Sequence, residues 1–301
     1  SLLFANGKLY SILRNVEYTL YCCEGEKKYQ SRYEGPLSYY HRDDDLKLRT
    51  TNFFCELNPE TLEIINYKVI DTSQLDTKPV WTFIGLEDAR LIYWDGSYYA
   101  CGVRRDTRTD GQGRMEFSKL EITDESVKEV SRIRIQVPDY NSYCEKNWMP
   151  IKNKPFHFVK WSNPTEIVKV DLKKEFAETV FLSDIQRPLP FDLRGGSQLI
   201  DWDNDTYLTI VHECDFVPKN FNKYKESDYF HRFVIWNKDY SIHHISESFN
   251  FMDTKVEFCI GLEQVHDDII IVFGYQDNAT YAVKLSKKNL NNLIWNVLKS
   301  A

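Results

Sequence analysis

No run of apolar residues in this chain approaches the roughly 20 needed to span a bilayer. The longest, Ile269-Ile270-Ile271-Val272-Phe273, has the length of a strand. Cysteine offers no framework either: the total is seven, an odd number, and no Cys-x-x-Cys pair occurs. Only Cys22 and Cys23 are adjacent. This argues against a disulfide scaffold and for a reducing compartment, so a cytoplasmic location is expected. No basic run stands out and the formal net charge is -7, which argues against a nucleic-acid partner. Three phosphate and nucleophile signatures are missing. There is no Gly-x-Ser-x-Gly elbow, no Gly-x-Gly-x-x-Gly dinucleotide fingerprint, and no Gly-x-x-x-x-Gly-Lys-Ser/Thr loop. His231 and the pair His243-His244 lack a third ligand at useful spacing, so no metal is expected. No low-complexity tract divides the chain, and residues 1–301 read as one domain. No signal peptide is visible, and Ser1 leads straight into a strand, which fits a domain excised from a longer protein and fused to others.

What the chain does have is aromatic and β-branched residues in short runs. Hydrophobic residues make up 42% and aromatics 15%, enough for a core of strands. One phrase recurs. Its clearest copy runs from Leu91 to Asp106: strand, a turn on Asp95-Gly96, second strand, then charged residues beginning at Arg104. A second runs from Leu199 to Glu213. Looser copies start at Leu2 (turn at Asn6-Gly7, ending Arg14-Asn15), at Phe156 (turn Ser162-Asn163-Pro164) and at Val265 (turn Asp267-Asp268, ending at Asp277). Repetition of one β-unit at about 60 residues suits four-stranded propeller blades. The predicted fold is therefore all-β, a five-bladed β-propeller with a short C-terminal helix over Lys287 to Leu298. A further short helix is predicted at Lys173 to Thr179. Tyr140 to Pro155, Arg104 to Arg114 and Cys214 to Asp228 read as loops, and Tyr18 to Cys22 as a strand.

In a propeller the loops of all blades meet at one mouth, so the polar clusters at strand ends are the candidate site. Glu87-Asp88-Ala89-Arg90 places two carboxylates and a guanidinium at the start of a strand. Because neighbours on a strand alternate faces, one carboxylate alone is expected to point inward. Asp88 and Glu87 could shift each other's pKa, and Arg90 could orient either; a surface turn would use the same residues. Glu145-Lys146-Asn147-Trp148 mixes charge, amide and indole as a sugar or phosphate site does, and equally as a packed turn with a buried Trp does. Arg194-Gly195-Gly196-Ser197 would let backbone approach a ligand, with Arg194 and His212 facing an anion, or would make a tight turn between strands. Asp277 ends a strongly apolar strand, as a carboxylate at the mouth would.

In this order the clusters resemble the five-bladed propellers of glycoside hydrolase family 130, which contains β-mannoside phosphorylases, and the related glycosyltransferase family 108. Glu87-Asp88-Ala89-Arg90 is similar to that family's Glu-Asp-Pro-Arg signature, with Ala89 in place of proline. Leu13-Arg14, Val211-His212 and Tyr275-Gln276-Asp277 resemble other family stretches. The resemblance implies that Asp88 is the catalytic acid. It implies that Arg14, Asn15, Glu87, Arg90, Trp148 and Asp277 meet the sugar, and that Arg104, Lys146, Arg194 and His212 meet phosphate or another anion. No cofactor is implied beyond phosphate or a sugar nucleotide as co-substrate beside the carbohydrate. The implied activity is inverting transfer of a mannosyl-like unit, as a phosphorylase or glycosyltransferase. An inverting hydrolase would need a second carboxylate, for which Glu213 and Glu263 are the candidates. A non-catalytic glycan-binding module is the reading from a different class.

Overall fold

The recurring hairpins close on residues that accept positive φ. Asn6 and Gly7 have φ of 53° and 75°, and Asp95 and Gly96 48° and 73°, the conformation that matches a two-residue turn to the right-handed twist of its strands. The computed structural model describes residues 1–20, 45, 47–137, 142–183, 189, 191–218, 225–254 and 256–297, with short segments at 23–24, 27–28, 31–34 and 38–41. Within these the chain is all-β apart from one short helical segment near the C-terminal end.

The first meander orders β1 (Leu2–Ala5), β2 (Lys8–Val16), β8 (Leu48–Leu57) and β9 (Ile64–Asp71). Between β2 and β8 lie the short strands β3 (Tyr18–Thr19), β4 (Cys23–Glu24), β5 (Lys27–Lys28), β6 (Ser31–Glu34) and β7 (Ser38–His41). After β10 (Phe83–Ile84), which pairs with β8, comes a second meander of β11 (Glu87–Trp94), β12 (Ser97–Arg104), β13 (Arg114–Ile122) and β14 (Val127–Arg134). The third contains β15 (Met149–Pro150), β16 (His157–Ser162), β17 (Thr165–Asp171) and β18 (Phe176–Leu182). The fourth contains β19 (Ile200–Asp201), β20 (Thr206–Pro218), β21 (Lys225–Asn237) and β22 (Ile242–Ile245). The last has β23 (Glu257–Val265), β24 (Asp268–Tyr275) and β25 (Ala279–Ser286).

The apolar core is divided, each part lying between two successive meanders. Leu91 and Ala100 pack with Leu3 and Ile12 of the first meander, whereas Ile92 and Cys101 pack with Phe158 and Val168 of the third. Along β24, Ile269, Ile271 and Phe273 join Leu208 and Phe233, while Ile270 and Val272 join Leu2, Leu9 and Cys55. This explains the unbroken apolar run at Ile269–Phe273. A strand buried on both faces has no polar side to alternate with, and each such side chain contributes about 1.5–3 kcal/mol by burial. The last cluster also ties the final meander to the first. The starting strands of the meanders are cross-linked around one centre: Phe4 N donates to Glu263 Oε2 at 3.0 Å and Gln198 Nε2 to Leu2 O at 2.9 Å. Trp94 Nε1 donates to Lys152 O at 2.8 Å.

Four expectations change. Lys173 to Thr179 is not a helix: a turn leads into β18, whose edge residues pair with β17. Cys214 to Asp228 is not a loop as far as it is described, because β20 and β21 pair out to Pro218 and Lys225; residues 219–224 lie outside the described set. Tyr140 to Pro155 contains the short inner strand β15. The hairpin with its turn at Ser162-Asn163-Pro164 joins the second and third strands of its meander, whereas the other copies join the first and second. The C-terminal helix is α1 (Lys287–Asn292), capped by Ser286, followed by a π-helical turn over Leu293–Val297. Of the strand expected at Tyr18 to Cys22, Tyr18–Thr19 is formed and residues 21 and 22 lie outside the described set. No helix among the described residues is long and apolar enough to cross a membrane.

Candidate active site

Arg14, near the end of β2, is the hub. Its Nη1 donates to Asp88 Oδ1 at 3.1 Å, its Nη2 to Tyr18 OH at 2.8 Å and its Nε to Thr50 Oγ1 at 3.2 Å. Tyr18 OH in turn donates to Asp277 Oδ2 at 3.1 Å, across 259 residues of sequence. Glu87 Oε2 lies 3.8 Å from Arg14 Nη2. Although burial opposes its charge, Tyr18, Asp88, Asp277 and Glu87 together hold the Arg14 guanidinium well above its ordinary pKa.

Both neighbouring carboxylates therefore reach one arginine, contrary to strand alternation. The reason is a bulge. The pairing of β11 with β12 shifts register between Glu87 and Arg90, and Asp88 adopts φ 51°, so two successive side chains are re-aimed to one side. Asp88, Arg14, Asn15, Tyr18, Asn52, Phe258 and Asp277 line a cleft of about 280 Å³. Asn15 is exposed at its rim.

Burial pushes the Glu87 carboxyl above its ordinary pKa; Arg14 opposes this, Asp88 adds to it, and Lys146 and Arg105 oppose it. Glu87 Oε1 is buried without a hydrogen-bond partner. The folded protein thus binds this proton more tightly than the unfolded chain, and the stability it contributes is lost as pH rises through the folded pKa. Glu87→Gln is expected to unfold at higher urea concentration than wild type at neutral pH, with the advantage vanishing below the ordinary carboxyl pKa of 4.5. Urea midpoints measured across that range check the sign.

On the far side of Phe258 lies a cationic group. His212 is buried, stacks on Tyr229 at 5.1 Å and meets Phe258 edge-on at 5.0 Å. Arg194 and His212 exchange backbone hydrogen bonds of 2.8 and 3.0 Å. Burial, then the charges of His231, Lys146 and Arg194, drive the His212 pKa well below its ordinary value. It is a neutral imidazole at neutral pH and can offer an anion a hydrogen bond but no charge. Lys146 is exposed and lies close enough to influence both Glu87 and His212.

No protein-family model matches the chain, and no curated protein matches it by sequence. Solved structures do match. A β-1,2-mannobiose phosphorylase from Listeria innocua superposes with a TM-score of 0.54 at 12% identity, over 97% of this chain and 90% of its own. A glycosyl hydrolase from Bacteroides ovatus does so with a TM-score of 0.58 at 10% identity, over 96% and 83%. The fold is that of propeller-like, carbohydrate-active enzymes. An exo-β-1,3-galactanase from Clostridium thermocellum shares it more loosely, with a TM-score of 0.50 at 10% identity over 95% of this chain and 57% of its own. At such identities the likeness is one of fold, and it agrees with the resemblance carried by the sequence motifs of a divergent branch.

Within that propeller-like fold, several residues do not stand where the motifs suggested. Trp148 is fully buried, donates from Nε1 to Glu145 Oε2 at 3.1 Å and packs near Phe158. No face of its ring is open to a sugar. Arg104 does not line the Asp88 cleft but a separate cavity of about 410 Å³ between the first two meanders. There its Nε lies 2.7 Å from Glu116 Oε2, close as an ion pair though not aligned as a hydrogen bond, and its Nη1 lies 3.4 Å from Asp106 Oδ2. Its neighbour Arg105 is instead among the cations that act on Glu87, after Arg14 and Lys146, and is held over Phe83 at 4.6 Å and bonded to Tyr143 OH at 3.1 Å. Arg90 is buried and acts as a cross-tie: Nε donates to Asp88 O at 3.2 Å and Nη1 to Gly196 O. Burial lowers its pKa to about 10. The two glycines after Arg194 admit protein rather than ligand. A Cβ on Gly195 would sit 1.8 Å from Asn147 O, and one on Gly196 2.0 Å from Ile210 O.

Tyr18, Thr50, Asn52, Arg105 and Phe258 were not singled out from sequence. Each is an ordinary strand or strand-end residue, and only contacts distant along the chain mark it. Glu213 is paired with Arg232, and Glu263 with Lys152.

Proposed function

We propose that the chain is a single five-bladed propeller enzyme. In this reading it transfers a mannosyl-like unit, with inversion, to or from phosphate or another sugar, as a phosphorylase or as a glycosyltransferase with a sugar nucleotide as donor. The observation that carries this reading is the Arg14 hub, which holds Asp88 on the wall of a sugar-sized cleft with Asp277 linked to it through Tyr18. Asp277 and Asn15 would bind sugar hydroxyls. Lys146, Arg194 and the neutral His212 would orient an anion, a positioning and electrostatic task. In phosphorolysis a phosphate oxygen attacks the anomeric carbon from the face opposite the leaving oxygen. The carbon–oxygen bond breaks, and the proton supplied by Asp88 reaches the leaving oxygen by way of a sugar hydroxyl. Water would need a second free carboxylate to activate it. The engagement of Glu213 and Glu263 in ion pairs favours phosphorolysis or transfer over hydrolysis.

The test is incubation with mannose 1-phosphate, or with GDP-mannose, and a panel of sugar acceptors. Release of phosphate or nucleotide with formation of a glycoside is the expected result. Saccharide binding with no release in any combination would identify a binding module and overturn the catalytic reading.

A further inference from the structure

One glycine has no reason in the fold. Gly274 lies in β24, the middle strand of the last meander, directly after the apolar run Ile269–Phe273. Glycine weakens a strand interior, because it has no side chain to pack and loses the most backbone freedom on folding. Among the described residues, four other glycines sit at positive φ, and at the remaining five a Cβ would fall within 3.0 Å of another heavy atom. Gly274 meets neither condition. It is not at positive φ, and a Cβ there would come no closer than 3.9 Å to any described atom beyond its chain neighbours, the nearest being Phe258 O.

The space in front of it is the Asp88 cleft. Ile270 and Val272, four and two residues earlier, pack with the first meander. A strand repeats its facing every second residue, so position 274 turns the same way. Across the sheet it pairs with Phe258 of β23 and Thr280 of β25. All three, with Val272, line the cleft that holds Asp88 and Asp277. The row of side chains along that wall is therefore interrupted at its middle, where bare backbone faces the cleft.

We infer that the space left by the absent side chain is taken by the ring of the bound sugar, which lies with its C–H groups against β24 and its hydroxyls toward Asp277. Close approach of a ligand to the main chain is a further use of glycine in a strand, apart from bulges and close contact with another backbone. Gly274 is then a specificity-determining residue that sets how deep a pyranose sits beside Asp88. This rests on the reading of the cleft as a carbohydrate site, and it commits that site to an uncharged ring face at this wall.

The test uses Gly274→Ala and Gly274→Val in the full chain. The urea midpoint of Gly274→Ala should equal or exceed that of wild type, since a methyl group finds room there and the unfolded chain loses freedom. Calorimetric titration with mannose and with mannose 1-phosphate should show affinity reduced by about tenfold or more in Gly274→Val and by less in Gly274→Ala, the order of side-chain size. A lowered midpoint in Gly274→Ala would mean that protein fills the space. Undiminished affinity in Gly274→Val would mean that the ligand does not. Either overturns the inference and leaves the carbohydrate reading standing. Failure of the wild type to bind either compound overturns that reading, and the inference with it.

Discussion

Asp88→Asn is expected to reduce glycosyl transfer by about 10²–10⁴-fold, the usual contribution of a positioned acid, while sugar binding and thermal stability stay close to wild type. The amide keeps the shape of the carboxyl and can still accept from Arg14 Nη1, now at 3.1 Å, but it has no proton to give. The cleft, the Tyr18–Asp277 bond and the Arg90 tie to the backbone of residue 88 remain. Two measurements are needed together: release of phosphate or nucleotide, and calorimetric titration with the saccharide. Full turnover in the variant would remove Asp88 from the chemistry. Loss of binding along with turnover would make it a structural partner of Arg14 and no acid.

Arg104→Met should act in the opposite sense. Loss of this cation is expected to destabilise the fold by about 3–5 kcal/mol, the cost of breaking a buried ion pair from one side, with saccharide binding in the Asp88 cleft unaltered. Glu116 is the reason. It is almost fully buried, and burial already raises its pKa against the pull of Arg104 and Arg134. Without Arg104 its nearest cation is Arg134, whose Nη1 lies 3.4 Å away, with Arg132 acting from farther off. Asp106 would lose its cation as well, though Gly85 N still donates to its Oδ2 at 2.9 Å. The deficit should grow as pH rises and Glu116 must ionise. Urea unfolding at two pH values measures it, and titration with mannose 1-phosphate tests the cleft. If binding of that anion fell with Arg104→Met while stability held, the residue would have to be returned to the anion site.

The contrast between Arg104 and Arg105 shows where reading the chain stops. Arg104 ends β12 and Arg105 follows it, and either could serve an anion, yet alternation sends one into a gap between meanders and the other toward Glu87. A one-residue difference of phase decides, and phase depends on where β12 begins to pair. The same rule failed at Glu87 and Asp88 for the converse reason. Alternation predicts opposite faces, and a bulge, which has no mark in the sequence beyond a crowded polar run, puts both on Arg14. Trp148 illustrates a third limit. An indole among charged residues suits a sugar platform or a packed turn equally, and burial by Phe158 and the third meander selected the turn.

The local chemistry of this chain was settled by the sequence: hairpins at Asn6-Gly7 and Asp95-Gly96, apolar runs that must be buried on both faces, and polar clusters at the strand ends. These depend on φ preferences and on side-chain period, which act over a few residues. Tertiary structure alone decided which clusters meet. Arg14, which holds Asp88 directly and Asp277 through Tyr18, gathers these residues over distances along the chain that no local preference encodes. Contacts between remote segments are fixed by how whole meanders pack on one another, and that packing is a property of the summed apolar surface rather than of any motif.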